Sequence, residues 1–207
     1  MSERFQTILL LGPPGSGKGT QGKILGRVPG FFHCSCGDVF RNLNPDSEIG
    51  QRFIEYSSQG KLVPNEITIQ AWVANITAQV TLNAYHPHSD VLILDGIPRN
   101  VPQAELLAEH LDVRKIIELH CGDEEKMIER LRRRALKENR LDDSKEDVIR
   151  HRWDVYRAET EPVLAHYPDE IQASISALGT PAEVFVNVLT EAIPVQNELI
   201  GSKPVGV

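Results

Sequence analysis

The stretch Thr7-Ile8-Leu9-Leu10-Leu11-Gly12-Pro13-Pro14-Gly15-Ser16-Gly17-Lys18-Gly19-Thr20 constrains this chain more than any other. Thr7 to Leu11 is an apolar run too short for a helix and closed by Gly-Pro punctuation, which predicts a buried central strand. The segment behind it has the Gly-xxxx-Gly-Lys spacing of a phosphate-binding loop. Glycines there let successive backbone N–H groups turn inward around phosphate oxygens, where a Cβ would intrude. A helix is expected from the end of the loop, and its N-terminal dipole adds positive potential at the same place. Lys18 supplies a mobile full charge for the β- and γ-phosphates.

One position departs from the strict pattern. The residue after the lysine is Gly19, where a Ser or Thr hydroxyl usually touches magnesium; the hydroxyl comes one place later, at Thr20. A missing Cβ at Gly19 also suggests that something large comes close to the start of the helix.

Size and charge narrow the remaining choices. A chain of 207 residues is expected to form one domain and to bury roughly 70% of its extended surface. A net charge of −7 argues against general nucleic-acid binding, so any basic cluster has to be local. No apolar run approaches the ~18 residues of a membrane span. Met1-Ser2-Glu3-Arg4 lacks the apolar segment of a secretory signal, and three cysteines fit a reducing interior better than a disulfide framework. The expectation is a soluble, cytoplasmic monomer with no nucleic-acid or membrane partner.

Periodicity and punctuation then divide the chain. Strands are predicted at Thr7–Leu11, Phe31–Cys34, Val91–Leu94, Lys115–Leu119 and Ile171–Ala177, with helices between them. The first helix follows the loop and continues through Gln21 to Leu25; others begin after Ser35, near Ser47, and at Asn65, which is read as a cap. Ile69, Trp72, Val73, Ile76 and Val80 keep the 3.6-residue period in the last of these. Further helices are expected from Pro102 to His110, behind Asp123, from Ser144 to His166, and behind a capping box at Thr180-Pro181-Ala182-Glu183. The tail after Ile193, with Pro, Gly and Ser, reads as loosely held. Alternating strands and helices imply right-handed βαβ crossovers and a central five-stranded parallel sheet in a three-layer α/β arrangement. Ligands of such sheets gather beyond the carboxyl ends of the strands, which places the phosphate loop, Asp38, Asp95 and Arg99 on one rim.

The charged residues of that rim suggest the chemistry. Asp95 directly follows an apolar strand, where the magnesium-associated carboxylate of nucleotide-binding folds is expected, here reaching the ion through water. Arg130 and Arg134 stand four apart and share a helical face, whereas Arg132 and Arg133 lie on other faces and read as solvated. Arg41, Arg99, Arg140 and Arg152 add further guanidinium groups, which grip phosphate oxygens bidentately and stay charged. Several arginines near one phosphate loop in an acidic chain suggest two polyphosphate ligands and a charged transition state. Asp142-Asp143 could pair with those arginines. His33, Cys34, Cys36 and Cys121 raise a metal reading, but Cys-x-Cys spacing is wrong for a zinc knuckle and no structural zinc is expected.

At this point the sequence resembles the adenylate kinases, the short-lid form within the nucleoside monophosphate kinases. Gly12-Pro13-Pro14-Gly15-Ser16-Gly17-Lys18-Gly19-Thr20 is similar to that family's loop, Gly19 included. Ser35-Cys36-Gly37-Asp38-Val39-Phe40-Arg41, Gly60-Lys61-Leu62-Val63-Pro64 and Asp95-Gly96-Ile97-Pro98-Arg99-Asn100-Val101-Pro102-Gln103 resemble three further signatures, and Arg130 through Arg140-Leu141-Asp142-Asp143 resembles the short lid. The likeness runs from Ile8 to about Val188. It implies a P-loop fold with small insertions for nucleoside monophosphate binding (residues 35–63) and a lid (133–143), catalysing ATP + AMP ⇌ 2 ADP with Mg²⁺. By position, Gly15, Ser16, Gly17, Lys18, Gly19, Thr20, Arg130, Arg134 and Gly179 would hold ATP. Cys36, Arg41, Lys61, Leu62, Val63, Gly96, Arg99 and Gln103 would hold AMP, with Arg140 and Arg152 bridging phosphates.

Three departures mark this chain. Cys36 replaces a threonine near the acceptor base, and Ile97 replaces a phenylalanine. One additional residue separates Arg140 from Arg152, so Arg150 competes with Arg152 for the phosphate role. The stretch Gly60 to Thr68 is similar to UMP/CMP kinases as well, while Gln103, carrying both donor and acceptor, favours an adenine edge. A weakly catalytic nucleotide sensor keeping the same fold is the other alternative.

Overall fold

The computed structural model describes residues 4–138 and 145–201. Its centre is a sheet of five parallel strands: β1 (Phe5–Leu11), β2 (Phe31–Ser35), β3 (Val91–Asp95), β4 (Leu111–His120) and β5 (Gln172–Ser176). The order is β2-β3-β1-β4-β5. With β3 on one side and β4 on the other, β1 has no free edge, and Thr7 through Leu11 are all buried. A strand covered on both faces reads as an unbroken apolar run rather than an alternation, which is why its sequence signal was so plain.

Eight helices are described: α1 (Lys18–Leu25), α2 (Cys36–Arg41), α3 (Glu48–Ser57), α4 (Asn65–Thr81), α5 (Val101–Leu107), α6 (Glu124–Glu138), α7 (Glu146–Val155) and α8 (Pro181–Ile200). Leu9, Leu92, Leu94 and Ile116 pack on one face of the sheet with Trp72, Ile76 and Leu107 from α4 and α5. Ile8, Leu10, Ile93 and Ile117 pack on the other with Leu25 of α1 and Val184 and Val188 of α8. None of these helices is long and apolar enough to cross a membrane, among the described residues. The parallel register sets Leu10 beside Asp95 and Leu11 beside Glu118, so the carboxyl ends of the central strands share one rim.

Four expectations are corrected. Strand β4 starts at Leu111 rather than Lys115: Arg114 and Lys115 interrupt the apolar run, but Asp112 and Glu198 neutralise the first and Glu191 the second. Asn65 does not cap α4; it is the first helical residue, and its side chain turns toward Asn100 and Gln103. The helix expected to run to His166 ends at Val155, followed by a π turn (Tyr156–Thr160) and a 3₁₀ stretch (Glu161–His166). Pro162 accounts for the break, because it donates no N–H and its ring crowds the carbonyl of Ala158. Ser144, read as that helix's cap, lies outside the described residues.

The fourth correction concerns the C-terminal region, where α8 continues through Pro194 to Ile200 instead of loosening at Ile193. Val188, Ala192 and Val195 are buried at helical spacing, and Leu199 packs against the same cluster. Gln196 also donates to the Pro29 carbonyl at 2.7 Å. This long-range packing outweighs the local penalty of an exposed proline in the helix. Pro194→Ala is therefore expected to stabilise the protein by about 1–3 kcal/mol, raising the thermal midpoint by roughly 2–4 °C per kcal/mol. Differential scanning calorimetry checks this; a lower midpoint would mean that the ring contributes packing that alanine cannot replace.

Candidate active site

The loop between β1 and α1 is built around backbone positions that only glycine satisfies. Gly12 has φ +135°, and a Cβ on it would sit 2.4 Å from the Leu119 carbonyl oxygen of β4. Gly17, at φ 98°, is the N-cap residue from which α1 starts. Gly19 is different: a Cβ there would meet Asp95 Oδ2 at 3.5 Å, an ordinary contact, so the close approach expected at Gly19 does not come from the protein's own atoms.

Lys18 folds back over this loop. Its Nζ donates to the Gly12 carbonyl at 2.6 Å and the Pro13 carbonyl at 3.0 Å, with Ser16 Oγ at 3.5 Å. Burial pushes the Lys18 pKa down to about 8; Asp95 acts against that fall, while Arg99, Arg152 and Arg134 add to it. A buried cation among three guanidinium groups is the electrostatic signature of a seat for an anion.

Asp95 ends β3 almost wholly buried, with its Oδ2 3.7 Å from His33 Nε2. His33 needs space that α1 supplies: a Cβ at Gly22 would lie 2.3 Å from its Nε2, and one at Gly26 would lie 2.6 Å from its Cβ. Cys34 of β2 and Cys36 at the start of α2 are buried in the core, where burial pushes their thiols up to about 12 and about 11.

The opposite wall of the cavity comes from α2 and from the turn after β3. Ser35 caps α2 by accepting from the Asp38 N–H. Asp38 then takes Arg41 Nη2 at 2.7 Å and Lys23 Nζ at 3.1 Å. Burial works to raise the Asp38 pKa, but the hydrogen bonds from Arg41 and Lys23 outweigh it and hold the carboxyl below its ordinary value. Arg99 is aimed by two contacts, its Nε donating to the Gly96 carbonyl at 2.8 Å and its own carbonyl accepting from Thr160 Oγ1 at 2.8 Å.

A single cavity joins these groups. Its lining includes Gly15, Gly17, Lys18, Gly19 and Thr20 of the loop, then Cys36, Arg41, Lys61, Leu62, Val63, Asp95, Gly96, Arg99 and Gln103. Arg134 of α6 and Arg152 of α7 complete it. Ser16 is buried within the loop beside Lys18. Neither Arg130 nor Gly179 is among the cavity-lining residues; Arg130 Nη1 donates instead to the Ala177 carbonyl at 2.9 Å, two residues before Gly179 in the chain. Arg150 faces away, bridging Glu125 and Glu146 at 2.9 Å each, which leaves Arg152 as the cavity residue of the two. Arg140, Asp142 and Asp143 lie outside the described residues, as does most of the expected lid.

Comparison with known proteins gives the family. The profile of the adenylate kinase family matches residues 10–172. An adenylate kinase of Thermobifida fusca is 40% identical over 192 residues, covering 88% of this chain and 96% of that protein. One from Mycobacteroides abscessus is 38% identical over 179 residues, covering 86% and 94%, and one from Mycobacterium tuberculosis is 37% identical over 188 residues, covering 88% and 96%. The chain belongs to the adenylate kinase family.

Several lining residues of this family member carried no sequence signal. Val155 reaches the cavity from the end of α7, and Tyr156 and Thr160 reach it from the π turn, which no periodicity announces. Lys23 was hidden as an ordinary helix residue until Asp38 was folded against it.

The lowered Lys18 pKa makes a testable link between protons and ligand. A triphosphate seated beside Lys18 raises that pKa again, so above pH about 8 binding takes up protons and affinity falls as pH rises. Calorimetry at about pH 9, in buffers of different ionisation enthalpy, is expected to register proton uptake on ATP binding, with little at about pH 6.5. Equal proton balance at both values would show that Lys18 does not titrate with the ligand.

Proposed function

We propose that this protein transfers the γ-phosphoryl group of ATP to AMP, giving two ADP. The observation that carries the reading is the continuity of one cavity from the Lys18 loop to Arg41, Arg99 and Gln103, with Arg134 and Arg152 on its wall between two anion seats. On this reading the loop from Gly15 to Thr20 cradles the triphosphate, with Arg130 and Gly179 toward the adenosine end. Cys36, Arg41, Lys61 to Val63, Gly96, Arg99 and Gln103 form the acceptor seat.

The chemistry requires little of the protein beyond position and charge. The attacking oxygen belongs to a phosphate already ionised at neutral pH, so no general base is needed. Lys18, Arg99, Arg134 and Arg152 would hold the two phosphate chains in line and neutralise charge spreading over the transferred group. Arg140, beyond the described residues, is proposed to join them from the lid, whose closure would keep water from the γ-phosphate.

The residues present fit a magnesium ion that arrives on the triphosphate. Asp95 offers one buried carboxylate at the strand end, and Gly19 leaves it an open approach with no protein hydroxyl between. Asp95 would hold the ion through water, and the ion when bound would neutralise phosphate charge. We also place the enzyme in the cytoplasm as a monomer, since its three cysteines are free and one chain supplies every group named.

Arg99→Ala and Arg134→Ala are each expected to lower turnover on the order of 10³-fold or more. A phosphotransfer assay with AMP, CMP, UMP and GMP as separate acceptors tests the assignment. Transfer to AMP supports it; transfer to pyrimidine nucleotides alone would make this a UMP/CMP-type kinase, and transfer to none would make it a nucleotide-binding sensor.

A further inference from the structure

Asn65, read from the sequence as a helix cap, is instead part of a closed amide network behind the acceptor seat. Two backbone N–H groups determine the orientation of that network, because an N–H can only donate. Arg99 N–H donates to Gln103 Oε1 at 2.7 Å, and Gln103 N–H donates to Asn100 Oδ1 at 2.9 Å. Both carboxamides therefore have their oxygens committed toward backbone, and their NH₂ groups face Asn65. Asn65 must present its oxygen: Oδ1 accepts from Asn100 Nδ2 at 3.1 Å and from Gln103 Nε2 at 3.0 Å.

The consequence falls on Gln103, which is 1% exposed and lines the cavity. A carboxamide is nearly symmetric in shape, so a free one can flip and present donor and acceptor in either order. Here a flip would set Gln103 NH₂ against the Arg99 N–H and its oxygen against Asn65 Oδ1, making two like-with-like contacts in a buried site. What is left for a ligand is one N–H and one oxygen lone pair, in a set order. For a base seated with its exocyclic group toward Gln103 Oε1, that order complements an amino group beside a ring nitrogen acceptor, as adenine carries, and opposes the carbonyl beside a ring N–H of guanine.

We propose that Asn65 is a positioning residue for acceptor-base selectivity, holding the NH₂ side of the Gln103 carboxamide while the Arg99 N–H holds its oxygen. The inference rests on the reading of AMP as acceptor. Asn65 touches neither nucleotide in this account; it acts through Gln103.

Three proteins test it: wild type, Asn65→Leu, which removes the acceptor at similar volume, and Asn65→Asp, which keeps two acceptor oxygens. Steady-state kinetics with AMP and GMP are measured on each, with circular dichroism and thermal midpoints to establish folding. Asn65→Leu is expected to raise KM for AMP about tenfold, the value of roughly one hydrogen bond, with kcat changed less than about threefold. The kcat/KM preference for AMP over GMP should fall, and Asn65→Asp should restore most of both. An unchanged AMP KM and AMP:GMP ratio in folded Asn65→Leu would overturn the proposal. So would an equal loss with both nucleotides, or a failure of Asn65→Asp to restore selectivity. Wild-type protein inactive toward AMP would instead overturn the acceptor assignment itself, whatever the variants do.

Discussion

The pairing of β1 between β3 and β4 is the constraint on which the site depends. It brings the phosphate loop, which leaves β1, alongside Asp95, which ends β3, through the adjacency of Leu10 and Asp95. It also brings the loop so near β4 that Gly12 has no room for a side chain beneath the Leu119 carbonyl. A one-residue slip in this register would turn Asp95 to the other face and fill the space Gly12 leaves. Sheet register and site geometry are thus one specification.

Around that frame the protein resolves an electrostatic problem. A chain of net charge −7 concentrates Lys18, Arg41, Arg99, Arg134 and Arg152 on one cavity. Burying cations is costly unless each finds an acceptor. The carbonyls of Gly12, Pro13 and Gly96 and the carboxylate of Asp38 provide acceptors for Lys18, Arg99 and Arg41. These contacts hold the cations in place without extinguishing their charge, the arrangement from which the proposed anion binding follows. The arginines that pair with glutamates, Arg132, Arg133 and Arg150, are not among the cavity-lining residues, whereas Arg41 lines the cavity while paired with Asp38.

Much of this was legible before any coordinates. The apolar run and glycine spacing of the loop, the caps at Asp123 and Thr180, and the facing of Trp72 and Ile76 are all coded within a few residues. Local steric and hydrogen-bonding rules act at that range, and a single sequence displays them. The choice between Arg150 and Arg152 was only partly legible: Glu146 stands four residues before Arg150 on the same helix, but its second partner, Glu125, is 25 residues away. Asn65 misled for the same reason: a good capping residue at a helix start was taken up by Asn100 and Gln103, distant in the chain.

The sequence by itself therefore determined the phosphate loop, the parallel α/β architecture and the set of charged groups that serve them. Tertiary structure decided which members of that set enter the cavity, how α8 survives Pro194, and that the π turn ahead of Pro162 brings Tyr156 and Thr160 to the cavity wall. The division has a physical basis. Propensities, caps and glycine conformations are settled by neighbours within a turn, whereas burial, ion pairing and amide orientation are settled by partners that only folding brings into contact.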